Sequence, residues 1–323
     1  MSITITTGGI TMTGGGVTFT APPAPPSTPT AGWFIGGRSP GVSTIDRITY
    51  ATDTATASVR GTTTVATAQT TATGNTTDGW IVVTTAFNRI TYATDTATAT
   101  SRGAISFLRA NLAASTDRTI YGWYVGGRNP PYYSIVDRLT YATDTATTSV
   151  RGPLATASGY LAASGNTTDG WFGGGYNPSN ALLSSIQRIT YATDTATASI
   201  RGPLSTGLYN PAATGDDSYG WYVGGMAILT APYNTLSTVQ RITYATDTAT
   251  ASVRGPLTNK RQGAAASTDY TTYGWFGGGA TYTPAGTISI VERITYATDT
   301  AATSTRGPLS AVRYDLSATS GVQ

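Results

Sequence analysis

The string Ile-Thr-Tyr-Ala-Thr-Asp-Thr-Ala runs from Ile48 to Ala55, and it returns from Ile90, Ile189, Ile242 and Ile294, and from Leu139 with one change. An Arg precedes each copy: Arg47, Arg89, Arg138, Arg188, Arg241 and Arg293. A second Arg followed by Gly closes it: Arg60, Arg102, Arg151, Arg201, Arg254 and Arg306. Upstream of each lies Gly-Trp, at Trp33, Trp80, Trp123, Trp171, Trp221 and Trp275, which uses every Trp in the chain. Six such units must stack on one another to bury what none can bury alone.

The unit is a β unit. No amphipathic period of 3.6 runs through it, and short strand-like runs alternate with turn signals. Around Trp171 the expected strands are Tyr160 to Ser164, Trp171 to Gly174, Ile186 to Ala192 and Ala196 to Arg201. Four strands in roughly 45–50 residues is the signature of a propeller blade. The first strands are poor in bulk, as in Leu161-Ala162-Ala163-Ser164, which suits crowding about an axis. Paired glycines such as Gly36-Gly37, Gly173-Gly174 and Gly277-Gly278 end the second strands and permit positive φ. The first Gly-Trp has no small-residue strand before it, and residues 308–319 form such a strand with nothing after it. Pairing the two closes the ring and removes sheet edges. The expected fold is all-β: a six-bladed propeller of four-stranded blades over residues 32–323.

These residues resemble kelch repeats: two glycines ending the second strand, a variable loop, an Arg-x-x-Tyr third strand and a turn before the fourth. The chain departs from that pattern in lacking a Trp in the fourth strand, and the blade of Trp80 has Val82-Val83 in place of the glycines.

Residues 1–21 read as a β-rich anchor and residues 22–31 as a Pro-rich linker. Ile3, Ile5, Ile10, Met12, Val17 and Phe19 alternate with Thr between glycine runs, suggesting two or three short strands that join a partner or self-associate. This opening, joined to near-identical repeats, resembles virion proteins of marine tailed phages. The resemblance implies a multi-copy virion component (tail fibre, tail tip or capsid decoration), assembled in the host cytoplasm. Its partners would be other virion proteins through residues 1–31 and a host-surface glycan or protein.

Composition narrows the chemistry. The chain has no His and no Cys, which removes the commonest general base and metal ligand together with thiolate chemistry. Neither a His-dependent Ser triad nor a kelch-type copper oxidase fits, and no cofactor or metal is expected. The one Glu, Glu292, occupies a slot filled elsewhere by Asp46, Asn88, Asp137, Gln187 and Gln240, and reads as surface variation. The repeated Asp (Asp53, Asp95, Asp144, Asp194, Asp247, Asp299) read as Asx-type turns rather than calcium ligands, and the repeated Arg as partners of carboxylates or carbonyls between blades. Net charge is +3, carried by Arg spread around the repeats rather than clustered, so nucleic-acid binding is not expected. No apolar run reaches the ~20 residues of a membrane span, and no Sec-type signal opens the chain, so the chain is expected to be soluble.

Binding is the expected activity. In an up-and-down blade the loops between strands 2 and 3 and those between one blade's strand 4 and the next blade's strand 1 share a face, and those are the loops that vary. Tyr132, Tyr133, Tyr176, Asn177, Tyr209, Tyr233, Asn234, Tyr282 and Phe107 are the candidate contacts on that face. The expectation is a non-enzymatic virion attachment or structural protein. A cellular kelch-like scaffold is the alternative, and a glycan-active enzyme the third class.

Overall fold

The computed structural model describes residues 27–38, 41–228, 233–282 and 284–322, and the backbone of 2–6, 9–13 and 18–20. Six four-stranded antiparallel sheets form a six-bladed β-propeller. In the blade of Trp171 the strands are Ala162–Gly165, Asp169–Gly173, Ile186–Thr190 and Ser199–Arg201. The third strand stops at Thr190 because Tyr191–Thr193 winds into a single 3-10 turn, as the Tyr-Ala-Thr of every copy does. Ring closure follows the expected route: Ser317–Gly321 becomes the inner strand of the first blade, with Thr319 opposite Trp33. Blades are numbered 1 to 6 from that one.

The repeated string is a clasp between neighbouring blades. The indole of Trp123 in blade 3 stacks on Tyr191 of blade 4 at 3.8 Å between centroids, and its Nε1 donates to Asp194 Oδ2 at 2.9 Å. Arg138 Nη1 reaches the same oxygen at 3.1 Å, with Arg151 Nε 3.5 Å away. Gly152 donates its N–H to the Asp194 carbonyl at 2.8 Å, and a Cβ there would stand 2.0 Å from the Ala196 carbonyl oxygen. The clasp recurs at every junction, and Trp275, Arg293 and Arg306 close the circle on Asp53. Thus the repeated Arg do pair with carboxylates between blades. The Asp carboxylates, however, serve the neighbouring blade and are not spent on their own turns. The Asx turns lie elsewhere, between strands 1 and 2, where Asn166 Oδ1 accepts from the N–H groups of Thr168 and Asp169.

The glycine pairs are shifted by one position in two blades. Positive φ falls on Gly174-Gly175 and Gly278-Gly279, while Gly173 and Gly277 are in or at the end of strand 2, where a Cβ would press on Tyr222 and Phe34 of the next blade. Around the axis, Ala72, Ala114, Ala163, Ala213, Ala266 and Ala318 form the waist of a narrow channel.

Ahead of the ring, Ser2–Thr6, Gly9–Thr13 and Thr18–Thr20 form a three-stranded antiparallel sheet. Its register sets Ile3 opposite Met12, Ile5 opposite Ile10 and Ile10 opposite Phe19; Val17 lies outside the described residues. The ring is entered before residue 32: Ala31 is already in strand, and Thr30 N–H donates to Gly321 O at 2.8 Å.

Candidate binding face

Each connection from strand 4 to the next blade's strand 1 turns at one left-handed residue: Gln69, Asn111, Tyr160, Asn210, Gly263 and Asp315, with φ between +53° and +61°. Asn, Asp and Gly suit this region, and a Tyr or Gln there is held by its surroundings. The surroundings are a closed circle of backbone hydrogen bonds. The N–H of each of these residues donates to the carbonyl of the one before it around the axis: Asn111 to Gln69 at 3.1 Å, Tyr160 to Asn111 at 2.9 Å, Asn210 to Tyr160 at 3.2 Å. Gly263 donates to Asn210 at 3.0 Å, Asp315 to Gly263 at 2.7 Å, and Gln69 to Asp315 at 2.8 Å. Left-handed turning points these six groups along the circle, so the ring of blades carries a ring of peptides at its upper mouth.

Beneath these loops lies the slot of Glu292, and it is not surface. Asp46, Asn88, Asp137, Gln187, Gln240 and Glu292 are 0–1% exposed. Each holds its loop by a backbone N–H, as in Thr156 N to Gln187 Oε1 at 2.9 Å and Ser310 N to Asp46 Oδ2 at 2.8 Å. Where the slot holds an acid, the loop supplies a buried Arg: Arg109 with Asp137 at 2.6 Å, Arg313 with Asp46 at 2.7 Å, and Arg261 with Glu292. Where the slot holds an amide, the same loop position is Thr67, Ser158 or Leu208. Charge is thus matched within every blade. Burial would raise the Glu292 carboxyl, but Arg261 and hydrogen bonds from Thr303, Asn259 and Thr258 hold it below its ordinary value. Each Arg also caps carbonyls at the end of strand 2; Arg109 Nε donates to Gly126 O at 2.6 Å.

Above the circle opens a bowl of about 540 Å³. The Gly-Gly reversals bring the next residue beside the loop, as in the bridges Arg38–Tyr314, Ala110–Arg128 and Gly159–Tyr176. Arg38 and Arg128 line one side, and both are exposed. Tyrosines line much of the rest. Tyr132 and Tyr176 meet edge to face at 5.9 Å, Tyr176 and Tyr209 at 6.2 Å, and Tyr160 packs on Tyr209 at 4.4 Å. Tyr233 and Tyr282 pair at 4.9 Å. The Arg128 guanidinium lies 5.5 Å from the Tyr132 ring centre. Burial pushes the phenols of Tyr132 and Tyr282 up, and burial together with Tyr160 does the same to Tyr209. Blade 2 contributes no such wall, because Thr84-Thr85 joins its second and third strands directly.

Of the nine residues expected on this face, Tyr132, Tyr176, Tyr209, Tyr233 and Tyr282 come together in the bowl. Tyr133 and Phe107 pack on each other at 5.2 Å and do not line it. Asn177 folds its carbonyl back on Ser179 and Ala181 N–H, and Asn234 sits in a short hairpin with Met226–Ile228. The bowl also takes Arg38, Gln69, Tyr160, Gln262, Tyr314 and Asp315, none of which the loop reading singled out. For Tyr160 and Asp315 the signal was positional: in five of the six blades the left-handed residue stands just before the small-residue strand, and it is Asn, Asp or Gly in four of them.

The opposite mouth is stoppered. Arg118 lies over the Tyr270 ring at 3.8 Å and pairs with Asp217 at 2.7 Å. Residues 27–29 line the cavity on this side.

No protein-family model and no curated protein sequence matches this chain. Among solved structures, one described as "Structure of YjhT" matches with a TM-score of 0.64 over 80% of this chain and 88% of that one, at 13% identity. At that identity the likeness concerns architecture alone. What the comparisons establish is therefore a six-bladed β-propeller.

Proposed function

We propose that the propeller is a non-catalytic binding head, with the tyrosine bowl as its contact face. The observation that carries this reading is the division of the molecule. The repeated residues are used up in holding blades together, while the bowl is built from positions that differ from blade to blade. Tyr supplies rigid, amphipathic contact area at low entropic cost, and a polar floor beneath it suits glycans or a polar protein surface. Among the described residues Asp315 is the one carboxylate lining the bowl, whereas glycoside hydrolysis ordinarily uses two placed across a bond.

The head is read as a kelch-like virion component, displayed on a phage particle and contacting a host surface or a neighbouring virion protein. Support for display is directional. Residues 27–30 reach the ring on the face opposite the bowl, which suits attachment from that side. The aligned apolar positions of the three-stranded sheet support an anchoring role for residues 1–31. The test is binding of the full chain to host cells and to purified particles. A Tyr132→Ala/Tyr176→Ala variant should lose cell binding at least 10-fold with its melting temperature nearly unchanged. Full cell binding by that variant would remove the bowl from the function.

A further inference from the structure

The bowl floor contains a buried carboxylate with one oxygen that, among the described residues, accepts no hydrogen bond. Asp315 is 8% exposed and lines the bowl. Its Oδ1 accepts from Asn210 Nδ2 at 2.8 Å. Its Oδ2 has, among the described residues, only Arg38 Nε at 3.6 Å, beyond hydrogen-bond range, and Arg38 is itself 45% exposed. The arrangement is built rather than incidental. Asp315 is fixed in the peptide circle, and Gly263 lies under the Asn210–Asp315 bond. A Cβ on Gly263 would stand 2.6 Å from Asp315 Oδ1 and 3.0 Å from Asn210 Nδ2. In the same bowl, Tyr233 and Tyr282 expose tilted rings at 43% and 39%.

We propose that Asp315 is the specificity-determining residue of the bowl, its carboxylate accepting hydrogen bonds from hydroxyls of an uncharged saccharide whose ring lies on the Tyr233–Tyr282 pair. The proposal rests on the bowl being the binding face. A desolvated carboxylate gains most from charge-assisted hydrogen bonds, and hydroxyl donors supply them without adding charge. An acidic sugar would meet Asp315 itself; a cationic ligand would meet Arg38 and Arg128. Burial holds the Asp315 carboxyl above its ordinary value, against the Asn210 hydrogen bond and Arg38.

The experiment is an array of immobilised neutral oligosaccharides and of uronate-bearing and sulfated ones. It is probed with the full wild-type chain, Asp315→Asn, Tyr233→Ala/Tyr282→Ala and Tyr132→Ala/Tyr176→Ala, each checked by thermal melting. Asn tolerates positive φ and can still accept from Asn210, so Asp315→Asn removes charge with little else. Wild type should bind neutral glycans; Asp315→Asn should lose at least 10-fold on these and gain on acidic ones, because Arg38 is released. Tyr233→Ala/Tyr282→Ala, on exposed side chains, should lose neutral binding at least 10-fold and serves if Asp315→Asn does not fold. Wild-type binding confined to acidic glycans, or unchanged neutral binding by Asp315→Asn or by Tyr233→Ala/Tyr282→Ala, would each overturn the proposal. Silence of wild type across the array overturns it too. In that case the bowl itself is judged by whether the Tyr132/Tyr176 variant loses binding to host cells.

Discussion

Two sets of buried charges hold this ring together, and they treat variation oppositely. The clasp between blades is the same at all six junctions: one Asp, two Arg, one Trp, one Tyr. The anchor under each upper loop is an ion pair in blades 1, 3 and 6 and a neutral amide in blades 2, 4 and 5. The clasp joins parts of different blades, so a change in one blade must suit its neighbour. The anchor joins a loop to the strand beside it, so each blade can settle its own charge balance. Freedom to vary has followed the smaller set of partners.

That contrast can be broken most severely at the clasp. Asp194→Ala would leave Arg138, Arg151 and the Trp123 indole without their shared acceptor. A cost of about 3–5 kcal/mol in urea unfolding is expected, as for a buried ion pair that loses one partner. Asp53→Ala, at the closing junction, should cost as much; a loss under about 1 kcal/mol at either would mean the clasp is not what holds the blades.

A second measurement sharpens the anchor side. Arg261→Leu alone strands Glu292 and should cost about 3 kcal/mol or more. Adding Glu292→Gln recreates the Leu208/Gln240 pairing of blade 5, and the double variant should recover to within about 1 kcal/mol of wild type. Failure to recover would show that the two anchor types are not interchangeable.

The same pair carries a pH dependence. The Glu292 carboxyl lies below its ordinary value in the folded chain, since Arg261 and the loop hydrogen bonds outweigh desolvation. The unfolded chain therefore takes up the proton first. The stabilisation is complete above the ordinary Glu range and is lost as pH falls through the depressed folded value. Urea titrations between pH 7 and pH 3 should show wild type losing more stability than the Arg261→Leu/Glu292→Gln double variant. Smallest of all should be the effect of bowl tyrosines on stability: Tyr132→Ala is expected to change unfolding by less than about 1 kcal/mol.

Much of this architecture was legible in the chain. Trp spacing, Gly-rich strand ends and an unmatched final strand were enough for six blades and their closure. The Asp of each repeat was not, because Thr-Asp-Thr looks like a self-contained turn and its Trp partner sits 62 to 78 residues away, or 222 at the closing junction, in another blade. The anchor slot was missed for a different reason. Strand 3 is buried on both faces between stacked blades, with Val136, Asp137 and Leu139 all enclosed, so alternation no longer separates inside from outside. In blades 4 and 6 the runs Gly173-Gly174-Gly175 and Gly277-Gly278-Gly279 hid which two glycines turn, since a triplet fits either register. The bowl was half-read. Tyrosines in long loops announce themselves, but Asp315 and Gln69 reach the floor only because a left-handed turn aims them there.

In blade 1 the place of the turn between strands 1 and 2 is taken by a seam, where Thr30 N–H meets the Gly321 carbonyl at 2.8 Å. Five tight turns and one seam are thus geometrically equivalent, and the circle has no privileged beginning. A linker of a few residues across the seam, with the chain reopened at the Asn166–Asp169 turn, should yield a permuted protein with the same six sheets. With residues 1–29 carried to each new N-terminus, moving the opening from blade to blade would also move their attachment point around the ring, so the bowl could be turned about its axis relative to whatever holds it.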